Sequence, residues 1–233
     1  MDEIIKWTND NSGFLALVLF LISVIYGWLS GMFNSLIKKP KLNVRFIPKM
    51  SFYSFYYTGK KWLNKDLNEE FELHKTGFVS YMSISNIGNK TTTIDKIWIG
   101  YYKSTTKRKW LNKNNIQWLT QWHPIDNFMY TMTDGSQVMV NNLRVKNNIF
   151  DNIDNNSLEI GKSLTGVAYF EQETAWGNFC PFQNDDRSVN VTIKIRDIYG
   201  KYFRFKTKLK QLDIEDARKF NPNFANIEQL IPK

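Results

Sequence analysis

Residues 13 to 37 carry no charged side chain, and Lys38, Lys39, Pro40 and Lys41 follow at once. No other stretch constrains the fold as strongly. At ~1.5 Å of rise per residue, Phe14 to Phe33 reaches roughly 30 Å as a helix, the thickness of a bilayer's hydrocarbon core. A cleaved signal peptide fits poorly. The start, MDEIIK, is net acidic, and the exit Asn34-Ser35-Leu36-Ile37 lacks a small-residue cleavage pattern. The apolar run also exceeds the roughly 7–15 residues of a signal peptide. A buried core helix fits no better, because no polar residue interrupts Phe14 to Ile22. The expectation is an uncleaved transmembrane helix over 14–37, preceded by a short extracytoplasmic tail over 1–13.

Flanking charge gives the direction. Asp2, Glu3, Lys6 and Asp10 sum to −2, whereas Lys38, Lys39, Lys41, Arg45 and Lys49 sum to +5. Basic flanks stay on the cytoplasmic side. The expected arrangement is a single pass of the cell membrane, with the N-terminus outside and the C-terminal domain cytoplasmic. Tyr26 and Trp28 lie towards the basic end, where amphipathic rings favour the interface, and the lysines can snorkel to headgroups. The chain carries +9 overall, so everything after the acidic tail carries +11 and is attracted to an anionic leaflet. The single cysteine, Cys180, can form no internal disulfide, which suits a reducing compartment. Ser23, Gly27, Gly31 and Ser35 recur every four residues and would form one stripe where a partner backbone could approach closely. That stripe implies a homodimer through the membrane helix. The plain alternative is that glycine is common in such helices.

Pro40 is expected to stop the helix, since it disfavours helical geometry at the residue before it. Leu42, Val44 and Phe46 then alternate with polar residues and start a strand, leaving little linker. Residues 41–211 read as one β domain, with a helical tail over 212–233. Phe78, Met82 and Ile84 face one way before a turn at Asn86-Ile87-Gly88-Asn89. Strand character resumes at Thr91 to Ile94 and continues through Ile97, Ile99 and Tyr101. Val138, Val140 and Leu143, then Val167, Tyr169 and Glu171, read as further strands. Between Lys103 and Pro124 the spacing of Ile116, Leu119 and Trp122 suggests a short helix. Leu212 to Phe220 and Ala225 to Leu230 read as helices separated by Asn221-Pro222.

The clearest element is a hairpin. Val189, Val191, Ile193 and Ile195 alternate with Asn190, Thr192, Lys194 and Arg196, and after Asp197 to Lys201 the alternation resumes with Phe203, Phe205 and Leu209. A three-residue loop with Gly200 in the left-handed position would pair Ile195 with Phe203 and Ile193 with Phe205. The opposite face then carries Lys194, Arg196, Arg204, Lys206 and Lys208. It is either solvated or meets something anionic, such as headgroups or an acidic partner. With Lys38, Lys39 and Lys41 these are the expected contacts to a membrane surface or acidic partner.

Strands with intervening turns and few helices suggest an antiparallel β-sandwich. The run Ser83-Ile84-Ser85-Asn86-Ile87-Gly88-Asn89 followed by Thr93-Ile94 resembles the edge of bacterial immunoglobulin-like domains. Together with the anchor, Pro40-Lys41-Leu42 and the Asp197-x-Tyr199-Gly200-Lys201 hairpin, it resembles small single-pass bacterial membrane proteins bearing an immunoglobulin-like sandwich. The resemblance implies a fold and brings no catalytic residues. The stretches Trp110 to Pro124 and Asn141 to Asn156 exceed what a minimal sandwich needs.

No catalytic, cofactor-binding or metal-ligating set stands out. His74 and His123 lie in separate segments, Cys180 has neither nearby, and one cysteine with two histidines makes no zinc pattern. Glu171 and Glu173 would share a strand face, but a paired-carboxylate hydrolase has little else to rest on. The aromatic segment Phe52 to Trp62 suits either a core or an interface. The expected function is a non-enzymatic, membrane-anchored interaction or scaffold protein that presents its domain to a protein partner at the inner leaflet. The alternative is a membrane-tethered sensor or effector whose domain binds a small ligand, a nucleotide being one candidate, and controls packing of the anchor. Nucleic acid is not an expected partner.

Overall fold

The computed structural model describes residues 2–32, 38–66, 68–103, 116–122, 128–131, 134–143, 157–173, 175, 180–222 and 224–225. Two helices come first, α1 (Asp2–Asp10) and α2 (Ser12–Leu29). The helical tail α1 was not apparent from the sequence, where its charges masked the pattern. It exposes Ile4, Ile5 and Trp7. Its last turn joins α2 through Asn11, whose N–H donates to Trp7 O and whose carbonyl accepts from Leu15 N–H. α2 ends earlier than expected: Ser30 N–H still donates to Tyr26 O, but Gly31 turns to φ 73°, the left-handed conformation glycine adopts without strain.

The β domain comprises β1 (Leu42–Phe46), β2 (Phe52–Asn64), β3 (Glu69–Asn86), β4 (Thr92–Tyr102), β5 (Ile116–Trp122), β6 (Phe128–Thr131), β7 (Gln137–Val140), β8 (Ser157–Leu158), β9 (Ser163–Glu171), β10 (Ser188–Asp197) and β11 (Tyr202–Gln211). A further helix, α3 (Ile214–Phe220), follows within the stretch expected to be helical. The second C-terminal helix expected from Ala225 onward lies outside the described residues, apart from Ala225 itself.

The ladder runs β1-β3-β2-β11-β10-β4-β5-β9, and β9 pairs back onto β3. β3 is long enough to hold β1 and β2 along one edge and β9 along the other. Two joints in this closed path are short: β11 meets β2 only at Lys210 and Gln211, and β5 meets β9 only at Gln121 and Trp122.

Period-two alternation sorts side chains into two cores. Phe78, Met82 and Ile84 of β3, Ala168 and Phe170 of β9, and Val191, Ile193 and Ile195 of β10 fill the first. Val79, Val167 and Tyr169, their neighbours of opposite parity, join Phe52, Tyr56 and Val140 in the second, which α3 and Phe224 cover. The aromatic segment is therefore divided: Phe52, Tyr53 and Tyr56 are core, while Tyr57 and Trp62 are exposed. Tyr53 caps one end of the first core, donating to Arg187 O at 3.1 Å and accepting from Gln183 Nε2 at 2.9 Å. Burial pushes its phenol up to about 12.

The hairpin has the register read from its alternation. Ile195 opposes Phe203, Ile193 opposes Phe205, and Asp197 N–H donates to Lys201 O with Gly200 at φ 80°. Asp197 Oδ1 accepts from the N–H groups of Tyr199 and Lys201, which fixes the loop. The short helix expected around Ile116 is instead the strand β5, paired with β4 from Tyr102↔Ile116 to Trp98↔Thr120. A three-residue apolar spacing cannot separate helix from strand over so short a run. Ile116, Trp118 and Thr120 prefer the pleated surface, and β4 offered an edge to pair. Ile94 and Ile97 differ in parity yet share the first core, because a register shift at Arg196/Asp197 inserts Asp95 as an extra residue.

Candidate functional site

The segment after the apolar helix is locked into the β domain. Ile87 N–H donates to Lys41 O at 2.8 Å, Asn89 N–H to Lys39 O at 3.2 Å, and Lys39 N–H to Asn89 Oδ1 at 2.7 Å. Asn86 is fully buried and organises this clamp. Its Nδ2 donates to Lys90 O at 2.7 Å and Leu158 O at 3.0 Å, while its Oδ1 accepts from Gly88 N–H at 3.0 Å and Lys41 N–H at 3.4 Å. Gly88 has no substitute here. A Cβ would collide with Lys41 N and lie 2.5 Å from Lys39 O and 2.9 Å from Pro40 C. The Asn-Ile-Gly-Asn motif therefore grips the segment that follows the apolar helix. Asn86→Ala should cost about 2 kcal/mol, because several buried groups lose their partner together. Faster amide exchange at Ile87 and Asn89 would accompany the loss, and an unchanged exchange pattern would refute the clamp.

Beside the clamp lies an open cleft of about 700 Å³, whose lining includes Lys39, Lys41, Lys201 and Arg204 and the apolar Leu42, Ile87, Phe203 and Phe205. Lys201 Nζ donates to Pro40 O at 3.2 Å and sits 4.8 Å from the Phe203 ring centroid. β1 and β11 form its walls.

Around the hairpin, the outer face gathers the expected cations and adds aromatic rings. Lys194 opposes Arg204 on β11 and Trp98 on β4. Its ammonium sits 4.7 Å from the Trp98 ring centroid, 4.2 Å from that of Trp118 and 5.8 Å from that of Tyr202. Cation–π attraction holds it there. Burial pushes this ammonium down from its ordinary value, and the charge of Arg204 adds to the shift while Tyr202 opposes it. Trp118 can lie flat on the sheet because Gly100 opposes it: a Cβ there would come within 2.7 Å of the ring. Arg196 differs from its neighbours in being paired, its Nε donating to Asp95 Oδ2 at 2.5 Å. That hydrogen bond, more than any other influence, raises the guanidinium's pKa. Lys206 and Lys208 point outward and exposed. The sequence located the cations; a lone glycine in a strand beside tryptophans was the available sign of the rings.

The small-residue stripe is not continuous along α2. Ser23 and Gly27 belong to the helix, Gly31 lies past its end, and Ser35 is outside the described residues. Ser23 Oγ donates to Leu19 O at 2.8 Å. Lys38 is exposed. His74 stacks on Phe55, with ring centroids 4.8 Å apart. His123, Trp110 and Trp176 lie outside the described residues. Cys180 is half-buried, and burial raises its thiol pKa, which disfavours the nucleophilic thiolate. Glu171 and Glu173 are not a working pair: Glu171 is buried against Lys75 at 3.6 Å, while Glu173 lies past the end of β9 and is exposed. Among the described residues no three His, Cys, Asp or Glu side chains gather as a metal site.

No family model and no curated protein matches the chain. Among solved structures, it is similar to an ApaA protein from Bordetella pertussis at 10% identity and a TM-score of 0.29, over 75% of this chain and 97% of that one. The structural-genomics target SoR45 is similar at 7% identity and a TM-score of 0.27, over 74% of this chain and 85% of that one. Likeness this distant carries nothing about function.

Proposed function

We propose that this protein is a membrane-anchored interaction module: a single-pass helix holding an immunoglobulin-like sandwich at the inner leaflet, where it meets a protein partner. The observation that carries the reading is the state of α2. It has 18 residues of mean hydropathy 2.2, and only 6% of them are buried within the protein. Phe14, Leu19, Phe20 and Ile25 are each more than half exposed, an apolar surface that water does not tolerate and a bilayer does. The charge step from the acidic tail to Lys38, Lys39 and Lys41 supports a cytoplasmic domain. The clamp at Asn86 to Asn89 supports a tether too short to let the domain drift from the surface. For the sandwich, the support is the pair of short joints, which divide the ladder into β1/β2–β3–β9 and β11–β10–β4–β5 across the first core.

The alternative reading, a sensor whose domain binds a small ligand and acts on the anchor, draws on the cleft that adjoins the clamp. Both readings require the anchor. The full chain should stay in the membrane pellet after alkaline carbonate extraction, and a C-terminal reporter should be active only in the cytoplasm. Release by carbonate would overturn the anchor, and a reporter active outside would overturn the orientation. Cross-linking of the full chain in intact cells separates the two readings. A discrete protein adduct supports the interaction module, and its absence favours the ligand sensor.

A further inference from the structure

We propose that the cleft between β1 and β11 binds a phosphoryl group, with the headgroup phosphodiester of an acidic phospholipid as the source closest to hand. The lipid source rests on the membrane-anchored reading; the phosphoryl chemistry does not.

Cations reach the cleft from three stretches of chain: Lys39 and Lys41 from the clamped segment, Lys201 from the hairpin loop and Arg204 from β11. Among the described residues no aspartate or glutamate lines it. Tetrahedral anions with several oxygens are met well by donors converging from separate directions, and Arg and Lys are the usual choice. The walls add main-chain edge. β1 and β11 run in the same direction, since β1 is antiparallel to β3 as β2 is, and β11 is parallel to β2. β11 pairs with β2 only at Lys210 and Gln211, so among the described residues Phe203 to Phe205 present an edge to the cleft without a strand partner. Lys201 is held in place by Pro40 O and the Phe203 ring. The volume, about 700 Å³, suits a headgroup or a nucleotide better than a bare ion. Leu42, Ile87, Phe203 and Phe205 add apolar lining, as a ligand with carbon beside its phosphate requires.

The test uses the full chain in detergent micelles, titrated separately with phosphatidylglycerol and with AMP, and read by native mass spectrometry. Lys39→Gln, Lys41→Gln and Arg204→Gln combined should weaken binding about a hundredfold, at about fivefold per cation. All three side chains are exposed, so folding is spared; Lys201 is kept because it bonds Pro40 O. The control removes three cations outside the cleft, with Lys206→Gln, Lys208→Gln and Lys210→Gln, and should leave binding within about threefold. Phosphatidylglycerol bound and AMP not identifies the lipid source. AMP bound identifies a dissolved phosphate ester and stands even if the chain proves not to be membrane-integral. Equal losses in both triple variants would reduce the effect to diffuse surface charge and overturn the site. So would binding of neither probe, whether or not an oligo-glutamate peptide binds instead.

Discussion

Lys75→Met should cost the protein about 3–5 kcal/mol of folding stability, the cost of breaking one side of a buried ion pair. Lys75 and Glu171 are 4% and 3% exposed, with Lys75 Nζ 3.6 Å from Glu171 Oε1. Tyr169 OH donates to Glu171 Oε2 at 2.6 Å and accepts from Ala225 N–H at 3.2 Å. Burial, with the carboxylate beside it, raises the Tyr169 phenol well above its usual range, so it remains a donor. The apolar variant takes the Lys75 countercharge away from the buried Glu171 carboxylate, and breaking one side of a buried pair carries a desolvation cost. The double variant Lys75→Met/Glu171→Leu should recover most of the loss, since a buried pair is often no more stabilising than apolar residues of similar volume. Urea unfolding of the full chain in detergent measures both. A single-variant loss below about 1 kcal/mol, or a double variant no better than the single, would show that the pair is not energetically coupled.

Phe224→Ala should be comparably severe, about 3–5 kcal/mol, through the cavity left in the second core. Phe224 is fully buried, with its ring centroid 5.3 Å from that of Tyr169, 5.7 Å from Phe52 and 6.2 Å from Tyr56. The ring reaches this depth because β3 has a glycine under it: a Cβ at Gly77 would lie 2.7 Å from Phe224 Cζ. Gly77→Ala should therefore destabilise by about 1–3 kcal/mol through overpacking. Its cost should shrink once Phe224 is Ala, because the added methyl then fills part of the cavity. Purely additive losses in this cycle would show that the two residues do not share the contact. Both variants should also loosen Ala225, and with it the cover over Glu171.

The elements legible in the sequence are those in which one local pattern decided everything. The β10–β11 hairpin has strict alternation on both strands, and a one-residue slip would have exposed Ile193 and Ile195. β1 alternates in the same way, whereas β9 is buried on both faces from Gly166 to Glu171 and shows as a short apolar run rather than as an alternation. β5 was not legible, because Ile116, Leu119 and Trp122 fit either period, and the pairing edge that settled it lies on β4. The length of β3 is not legible either. Glu70, Glu72, His74 and Lys75 read as a charged surface stretch, yet β2 pairs along it from Glu69 to Lys75 with one register shift between Tyr57 and Lys61.

Of the candidate site, the cations were legible because a charged residue is visible whatever surrounds it. Their grouping was not. Lys39 and Lys41 meet Lys201 and Arg204 across about 160 residues of chain, through a clamp whose Asn86 and Gly88 looked like an ordinary turn. The spacing of Glu171 and Glu173 puts both on one strand face, but Glu171 lies buried against Lys75 from another strand while Glu173 is exposed past the end of β9.

By itself the sequence determined the uncharged run, the charge step beside it and the alternation of the hairpin. Each of these is a property of neighbours along the chain, where solvation and backbone period act locally. Only the tertiary structure decided which face of each strand belonged to which core, which cation was paired and where a cleft opened. Those depend on contacts between residues far apart in sequence, and their energies exist only once the chain has brought them together.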